Sequence, residues 1–250
     1  MELAIDKAAL KECWLRSGVR TPAFAVATES RPLGADRAIA LGFPCIVKPL
    51  REGNSRGIDE NSVVRDFAAL RAKVEATVAR FGSAIVERFL GDSADVREFT
   101  VAMIGSGSSM LAMPAEIALA SPKAVRVVTT ADKDGANAIA RPVDDPALRS
   151  RIEDFARRAF SAAGVRDYSR CDLLMAGGEL SAIEINGQPM VPDPWFEACA
   201  RGAGFGATGY LNAIFLAAIA RYAREGRPWL SAPAAMRGLM PARLYESLRG

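Results

Sequence analysis

No histidine occurs in these 250 residues. That absence removes Ser-His-Asp and Cys-His nucleophile arrangements, the common zinc sets and histidine acid–base catalysis. Chemistry here must run on carboxylates, lysines, arginines, backbone amides or an oxygen-ligated metal. Cysteine is scarce too. Cys13, Cys45, Cys171 and Cys199 show no paired spacing, which fits a reduced, cytoplasmic compartment. Long apolar runs are missing: the most apolar helical stretch, "YLNAIFLAAIARY", falls well short of the ~20 residues that span a bilayer, so no membrane is expected. The N-terminus "MELAIDKAALKE" is charged from residue 2 and does not read as a signal peptide. Nor is there a dominant charge. With 32 basic and 29 acidic residues the net is +3, and no basic run interleaves with aromatics, so nucleic acid is not an expected partner.

Half of the residues are hydrophobic and 24% are charged, which suits one or two globular units with a sizeable core. Asp6 can cap a helix whose apolar face is Leu10, Cys13 and Trp14, with Gly18 as its stop. "PAFAVAT" (22–28) and "PCIVKPL" (44–50) read as short strands. Ser62 opens a second helix with Val63, Phe67, Leu70, Val74 and Val78 on one face. Strands "AIVERF" (84–89) and "EFTVAMIG" (98–105) follow, joined by a polar insert. Residues 106–145 read as irregular, with one strand at "VRVVTT" (125–130). Asp145 then caps a strong helix with Pro146 in its first turn, Leu148, Ile152, Phe155, Ala159 and Phe160 as its stripe, and Gly164 at its end. A last amphipathic helix carries Leu211, Ile214, Phe215, Ala218, Ile219 and Tyr222. Mixed helices and hairpins favour an α+β sandwich of two lobes over a doubly wound sheet.

Two stretches carry chemistry. In "FPCIVKPLREGNSRGI" (43–58) a strand ends on Lys48 and a glycine-bearing loop follows, the reverse of the order in a phosphate loop that precedes a helix. Taken alone, Lys48 equally suits a surface lysine at a strand end. The second stretch, "RCDLLMAGGELSAIEIN" (170–186), reads as a hairpin. A three-residue loop of Ala176, Gly177 and Gly178 would place Arg170, Asp172, Glu184 and Asn186 on one sheet face. Two carboxylates and an amide oxygen suit magnesium, and an arginine beside them suits phosphate. A solvated strand face with a salt bridge is the plain alternative.

The order of "DK" (6–7), "FPCIVKPLREGNSRGI", "AIVERFL…REFTVA" and "RCDLLMAGGELSAIEINGQP" resembles the ATP-grasp superfamily, most closely its D-alanine–D-alanine ligase branch, from about residue 5 to 222. The resemblance implies a two-lobed fold with ATP in the cleft between two α+β subdomains. An N-terminal lobe would span 1–86 with a phosphate lid at 51–57, a C-terminal lobe 87–224, and a tail 225–250. Under the same resemblance Lys7 and Lys48 contact the nucleotide phosphates, with Asn54 and Ser55 in the lid. Glu87, Arg88 and Leu90 form the hinge that reads adenine, Glu98 holds the ribose, and Leu174 and Ile183 sandwich the base. Asp172, Glu184 and Asn186 hold two magnesium ions, Arg170 stabilises the transferring phosphoryl group, and Lys133 reaches the γ-phosphate. The implied activity is ATP-dependent joining of a small-molecule carboxylate and an amine through an acyl phosphate. Phosphorylation without amide formation, or an ATP-binding partner subunit without catalysis, are the alternatives.

Two departures from the family pattern matter. The D-alanine ligases carry a domain before the "DK" helix, and this sequence starts about five residues before that helix. A homodimer mate, a partner chain or the tail is therefore expected to close the substrate site. After Asn186 the family continues with a threonine-serine-proline-glycine-type turn and a serine-leucine pair that bind the second D-alanine. Here the text is "GQPMVPDPWFEA", with Trp195 and Phe196 nearby, so an acceptor other than D-alanine is expected.

Overall fold

A computed structural model of the chain describes residues 2–107, 110–121, 123, 125–134, 137–206 and 208–227, together with 235, 238 and 242. Most of the expected tail lies outside these residues. The chain divides into two compact units, residues 1–97, 119–139 and 174–183 in the first and 98–118, 140–173 and 184–250 in the second. These units are discontinuous in sequence, whereas the lobes expected from the sequence are contiguous stretches.

Unit 1 opens with α1 (Glu2–Ile5) and α2 (Lys7–Arg16). Asp6 caps α2 as expected, accepting from the amides of Ala8 and Ala9 at 3.1 Å. A four-stranded sheet follows, in the order β1 (Phe24–Thr28), β4 (Ser83–Arg88), β2 (Cys45–Pro49), β3 (Val63–Val64). Its pairs are antiparallel, with Phe24 and Ile46 both opposite Glu87 and Lys48 opposite Ile85. Alternation then separates two faces. Ala27, Cys45, Val47, Ala84 and Val86 pack against α3 (Ala35–Leu41) and α4 (Phe67–Phe81). The opposite face carries Phe24, Val26, Ile46, Lys48, Ile85 and Glu87, and Ala8 of α2 packs there with Ile85.

A five-stranded sheet has the order β7 (Ala138–Pro142), β6 (Leu111–Leu119), β5 (Arg97–Ile104), β8 (Tyr168–Ala176), β9 (Glu179–Asn186). Ala102, Ile104, Met113 and Ala115 on one face pack against Phe196 of α7 (Pro194–Gly202) and Tyr210 of α8 (Gly209–Arg224). The helix α6 (Pro146–Ala163) has the expected Asp145 cap and buried stripe, and Gly164 closes it at φ 63°.

Several expectations are corrected. The second helix starts at Phe67, capped by Asp66 at 2.8 Å, while Ser62 ends a 3-10 turn (Glu60–Ser62) and Val63–Val64 form β3. Two adjacent β-branched residues favour an edge strand over a first helical turn. Residues 106–145 are not irregular, since they hold β6 and β7. Pro114 sits within β6, between two neighbouring strands, where a proline argues against a strand reading. The expected strand at 125–130 is absent. Thr130–Asp134 form a short helix, α5, because Asp132 accepts from the amide and hydroxyl of Thr129 at 2.8 and 2.7 Å and turns the chain. The hairpin turn contains only Gly177 and Gly178, at φ 59° and 74°, and Ala176 belongs to β8. Finally, α8 buries Tyr210, Ala213, Leu216 and Ala217 and leaves Phe215 66% exposed. That helix is apolar on more than one side, so periodicity alone does not choose the buried one.

Among the described residues no helix is long and apolar enough to cross a membrane, and the four cysteines form no disulfide.

Candidate active site

In unit 1 the polar side chains gather on the sheet face opposite α3 and α4. Lys48 at the end of β2 and Glu87 at the end of β4 are diagonal neighbours there, and Lys48 donates to Glu87 at 2.9 Å. Lys11, one helical turn after Lys7 on α2, lies 3.4 Å from the other oxygen of Glu87. Glu87 is 1% exposed. Burial opposes its ionisation, but the charges of Lys11, Lys48 and Lys7 overcome that penalty and hold the carboxyl below its ordinary range. Lys7 is buried and donates to the carbonyl of Glu52, at the start of the glycine loop. Arg88 is not part of this group. Alternation turns it to the other face, where its guanidinium lies against Gly42.

The loop after Lys48 places Asn54 and Ser55 at φ 51° and 58°, and Gly57 at 76°. A side chain at Gly57 would stand 2.9 Å from the Phe81 ring and Pro49, so the chain passes there only as glycine. Ser55 donates to the carbonyl of Val128 at 3.2 Å, joining this loop to the segment that carries Lys133. Lys133 itself is half-buried on α5. Its neighbour Asp132 anchors the helix, accepting from Lys123 at 2.5 Å and Asn137 at 2.8 Å, and Lys123 also donates to Glu60 at 2.7 Å. Burial raises the Asp132 carboxyl, but these bonds hold it well below the usual carboxylate range. Leu90, Leu174 and Ile183 are half-buried.

In unit 2, Arg170 and Asp172 lie two residues apart on β8, with Nε 3.5 Å from the carboxylate. Asp172 accepts from the hydroxyl of Thr100 on β5 at 2.7 Å, and alternation puts Glu98 on the face of Thr100. Arg170 also donates to Asp193 at 2.7 Å, and its guanidinium stands 5.3 Å from the centre of the Trp195 ring. Although burial works against the charge, Asp172 and Asp193 keep Arg170 firmly protonated. Glu184 and Asn186 are half-buried on β9. Asp172 and Glu184 both add negative charge near the buried Cys171, whose thiol burial pushes well above its ordinary range. Among the described residues no group of three or more His, Cys, Asp or Glu is placed to hold a metal. The expected set has two carboxylates and one amide. Their hard oxygens, with Asp172 still free to offer a second oxygen beyond its Thr100 bond, fit a magnesium ion in donor chemistry.

Sequence reasoning passed over Lys11, Asp132 and Asp193. Each had a signal: Lys11 stands four residues after Lys7 on a helix, Thr129 precedes Asp132 at capping spacing, and Asp193 precedes Pro194 as an N-cap does. Asp193 does cap α7, accepting from the amide of Phe196 at 2.7 Å.

Three comparisons bear on this arrangement. The family described as D-ala D-ala ligase C-terminus matches residues 16–206. The D-alanine–D-alanine ligase of Cupriavidus necator is 29% identical over 222 residues, covering 86% of this chain and 64% of its own length. In fold, the chain is similar to the D-alanine–D-alanine ligase of Bacillus anthracis solved with ATP (TM-score 0.71, 21% identity, 90% of this chain and 69% of that one). It is also similar to the VanG D-Ala:D-Ser ligase of Enterococcus faecalis (TM-score 0.67, 20% identity, 86% and 62%). The chain thus has the ATP-grasp fold, and spans about two thirds or less of the proteins it matches.

Proposed function

The chain belongs to the D-Ala-D-Ala ligase C-terminal family, and from that premise we propose that it carries out ATP-dependent carboxylate–amine ligation. A carboxylate oxygen attacks the γ-phosphorus, the bond to the leaving ADP oxygen breaks, and an acyl phosphate forms. The amine then attacks the acyl carbon, inorganic phosphate leaves and the amine gives up a proton. Such a reaction needs positioning and charge neutralisation more than a protein nucleophile, so a chain without histidine can perform it.

The observation that carries the reading is the buried group of Lys7, Lys11 and Lys48 around Glu87. Lys7 and Lys48 serve the phosphates, while the loop with Asn54, Ser55 and Gly57 offers backbone amides to them. Glu87, Leu90 and Glu98 serve the base and ribose, Arg88 contributes only its backbone because its side chain turns to the other sheet face, and Leu174 and Ile183 flank the base. Asp172, Glu184 and Asn186 would hold magnesium, two ions in this reading, which when bound neutralises phosphate charge. Arg170, kept rigid by Asp193 and Trp195, stabilises the transferring group, and Lys133 assists from α5.

Asp193 and Trp195 also support an acceptor other than D-alanine, because a carboxylate and an indole occupy the stretch where the serine-leucine pair is expected. The four cysteines, none of them in a disulfide, support a reducing, cytoplasmic setting. An ADP-release assay with magnesium, ATP and a panel of carboxylic acids tests the proposal with and without amines. Ligation requires that product appear only with an amine. ADP release with a phosphorylated acid and no amide, whatever the amine, would instead favour the phosphotransferase, and no ADP release under any condition would leave the ATP-binding subunit.

A further inference from the structure

Lys11 is given no contact with ATP in the proposed function, yet its exposure is 0%. Removing an ammonium group from water is costly, and a methionine of similar volume would fill the space without that penalty. A lysine kept there does something an apolar side chain cannot. Its Nζ donates to the hydroxyl of Thr21 at 2.7 Å and stands 3.4 Å from Oε1 of Glu87. The Thr21 hydroxyl donates in turn to the carbonyl of Ala182 at 2.7 Å, and the Ala182 amide donates to the carbonyl of Arg20 at 2.8 Å. Lys11 therefore ties α2 to the end of β4 and to the residue before Ile183 on β9.

Glu87 is shared between two cations. Oε2 accepts from Lys48, whereas Oε1 is buried and accepts no hydrogen bond, so its attraction to Lys11 is electrostatic. We propose that Lys11 is a positioning residue for the nucleotide site, holding Glu87 so that the Lys48 ammonium group remains able to reach a phosphate. This rests on the nucleotide reading of Lys48 and Glu87 given above. Without the Lys11 charge, Glu87 faces one fewer cation, closes more tightly on Lys48 and withholds it from phosphate.

Calorimetric titration of the full chain with magnesium-ATP, and separately with adenosine, tests this in wild type, Lys11→Met and Lys11→Arg. Lys11→Met is expected to weaken ATP binding about tenfold and adenosine binding, through the displaced Glu87, by no more than about threefold. Lys11→Arg, which keeps the charge, is expected to recover ATP affinity to within about threefold of wild type. A general packing role would weaken both ligands together. Unchanged ATP affinity in Lys11→Met, equal loss for both ligands, or no recovery in Lys11→Arg overturns the proposal. Should Lys11→Met fail to fold by circular dichroism, Thr21→Val removes the hydroxyl that anchors Lys11. An ATP affinity about threefold weaker in that variant supports the proposal, and an unchanged one overturns it. A wild-type chain that binds no ATP overturns the nucleotide reading first and this inference with it, a failure visible before any variant is made.

Discussion

The two units gather charge with opposite signs. In unit 1 the lysines Lys7, Lys11 and Lys48 surround one carboxylate, Glu87. In unit 2 the carboxylates Asp172 and Asp193 flank one guanidinium, Arg170. The surroundings differ as well. Lys11 and Glu87 are sealed at 0% and 1% exposure, and the elements that hold them are a helix and central strands. Asp172, Glu184 and Asn186 are half-buried. A buried cation group suits a polyanion that brings many oxygens, whereas half-exposed carboxylates suit a hydrated divalent ion that keeps part of its water. In both units the minority charge is the one held from two sides, Glu87 by Lys11 and Lys48 and Arg170 by Asp172 and Asp193.

Changes to unit 2 should act on turnover, and changes to unit 1 on nucleotide affinity. Glu184→Gln is expected to lower turnover on the order of a thousandfold in the ADP-release assay, with ATP binding weakened but measurable by titration. Wild-type turnover in this variant would remove Glu184 from the metal shell and erase the contrast. Lys48→Ala should raise the ATP concentration needed for half-maximal rate about thirtyfold, the loss of a charged hydrogen bond of about 2 kcal/mol. If its nucleotide affinity is unchanged, Lys48 is a strand-end lysine that merely pairs with Glu87.

Asp132 extends the comparison to stability. Its folded-state carboxyl is held below the ordinary range, so it adds stability that is fully present above the unfolded value near pH 4 and fades as pH falls below it. Asp132→Asn should cost about 2 kcal/mol at pH 7 in urea unfolding, and the difference from wild type should shrink as the pH is lowered towards 2. A difference that stays constant between pH 7 and 2 would show that the carboxylate charge plays no part. Asp193→Ala loses the α7 cap and one Arg170 partner, and should cost about 1 kcal/mol in unfolding free energy while reducing turnover more than ATP affinity. Equal losses in both would place Arg170 in ground-state binding. The smallest effect is expected at Phe215, where Phe215→Ser should alter stability by less than about 0.5 kcal/mol, because the ring is 66% exposed. A larger loss in thermal unfolding would mean that another surface covers that side of α8.

Local chemistry was enough for much of this molecule. Asp6 and Asp145 announce helices, because a carboxylate satisfies amides that no other backbone group can reach. The ordered motifs from Lys7 to Asn186 announce the fold, because each places a particular side chain on a strand end or loop. Pairing between distant segments lay beyond such reading. Pro114 enters β6 because Val101 and its neighbours on β5 pair with that segment, against the preference of an isolated chain. The helical stripe from Leu211 to Tyr222 was a sound apolar pattern, yet α8 turned Tyr210 and Ala213 inward to meet Phe196 and Ala102. The hairpin turn closed on Gly177 and Gly178 alone, with Ala176 kept in β8, a length that only the folded turn decides. The sequence by itself determined which charges this protein carries and roughly where regular elements begin. Only the tertiary structure decided which charges meet, because Lys11, Glu87 and Ala182 are brought together by strand pairing and burial that no local pattern encodes.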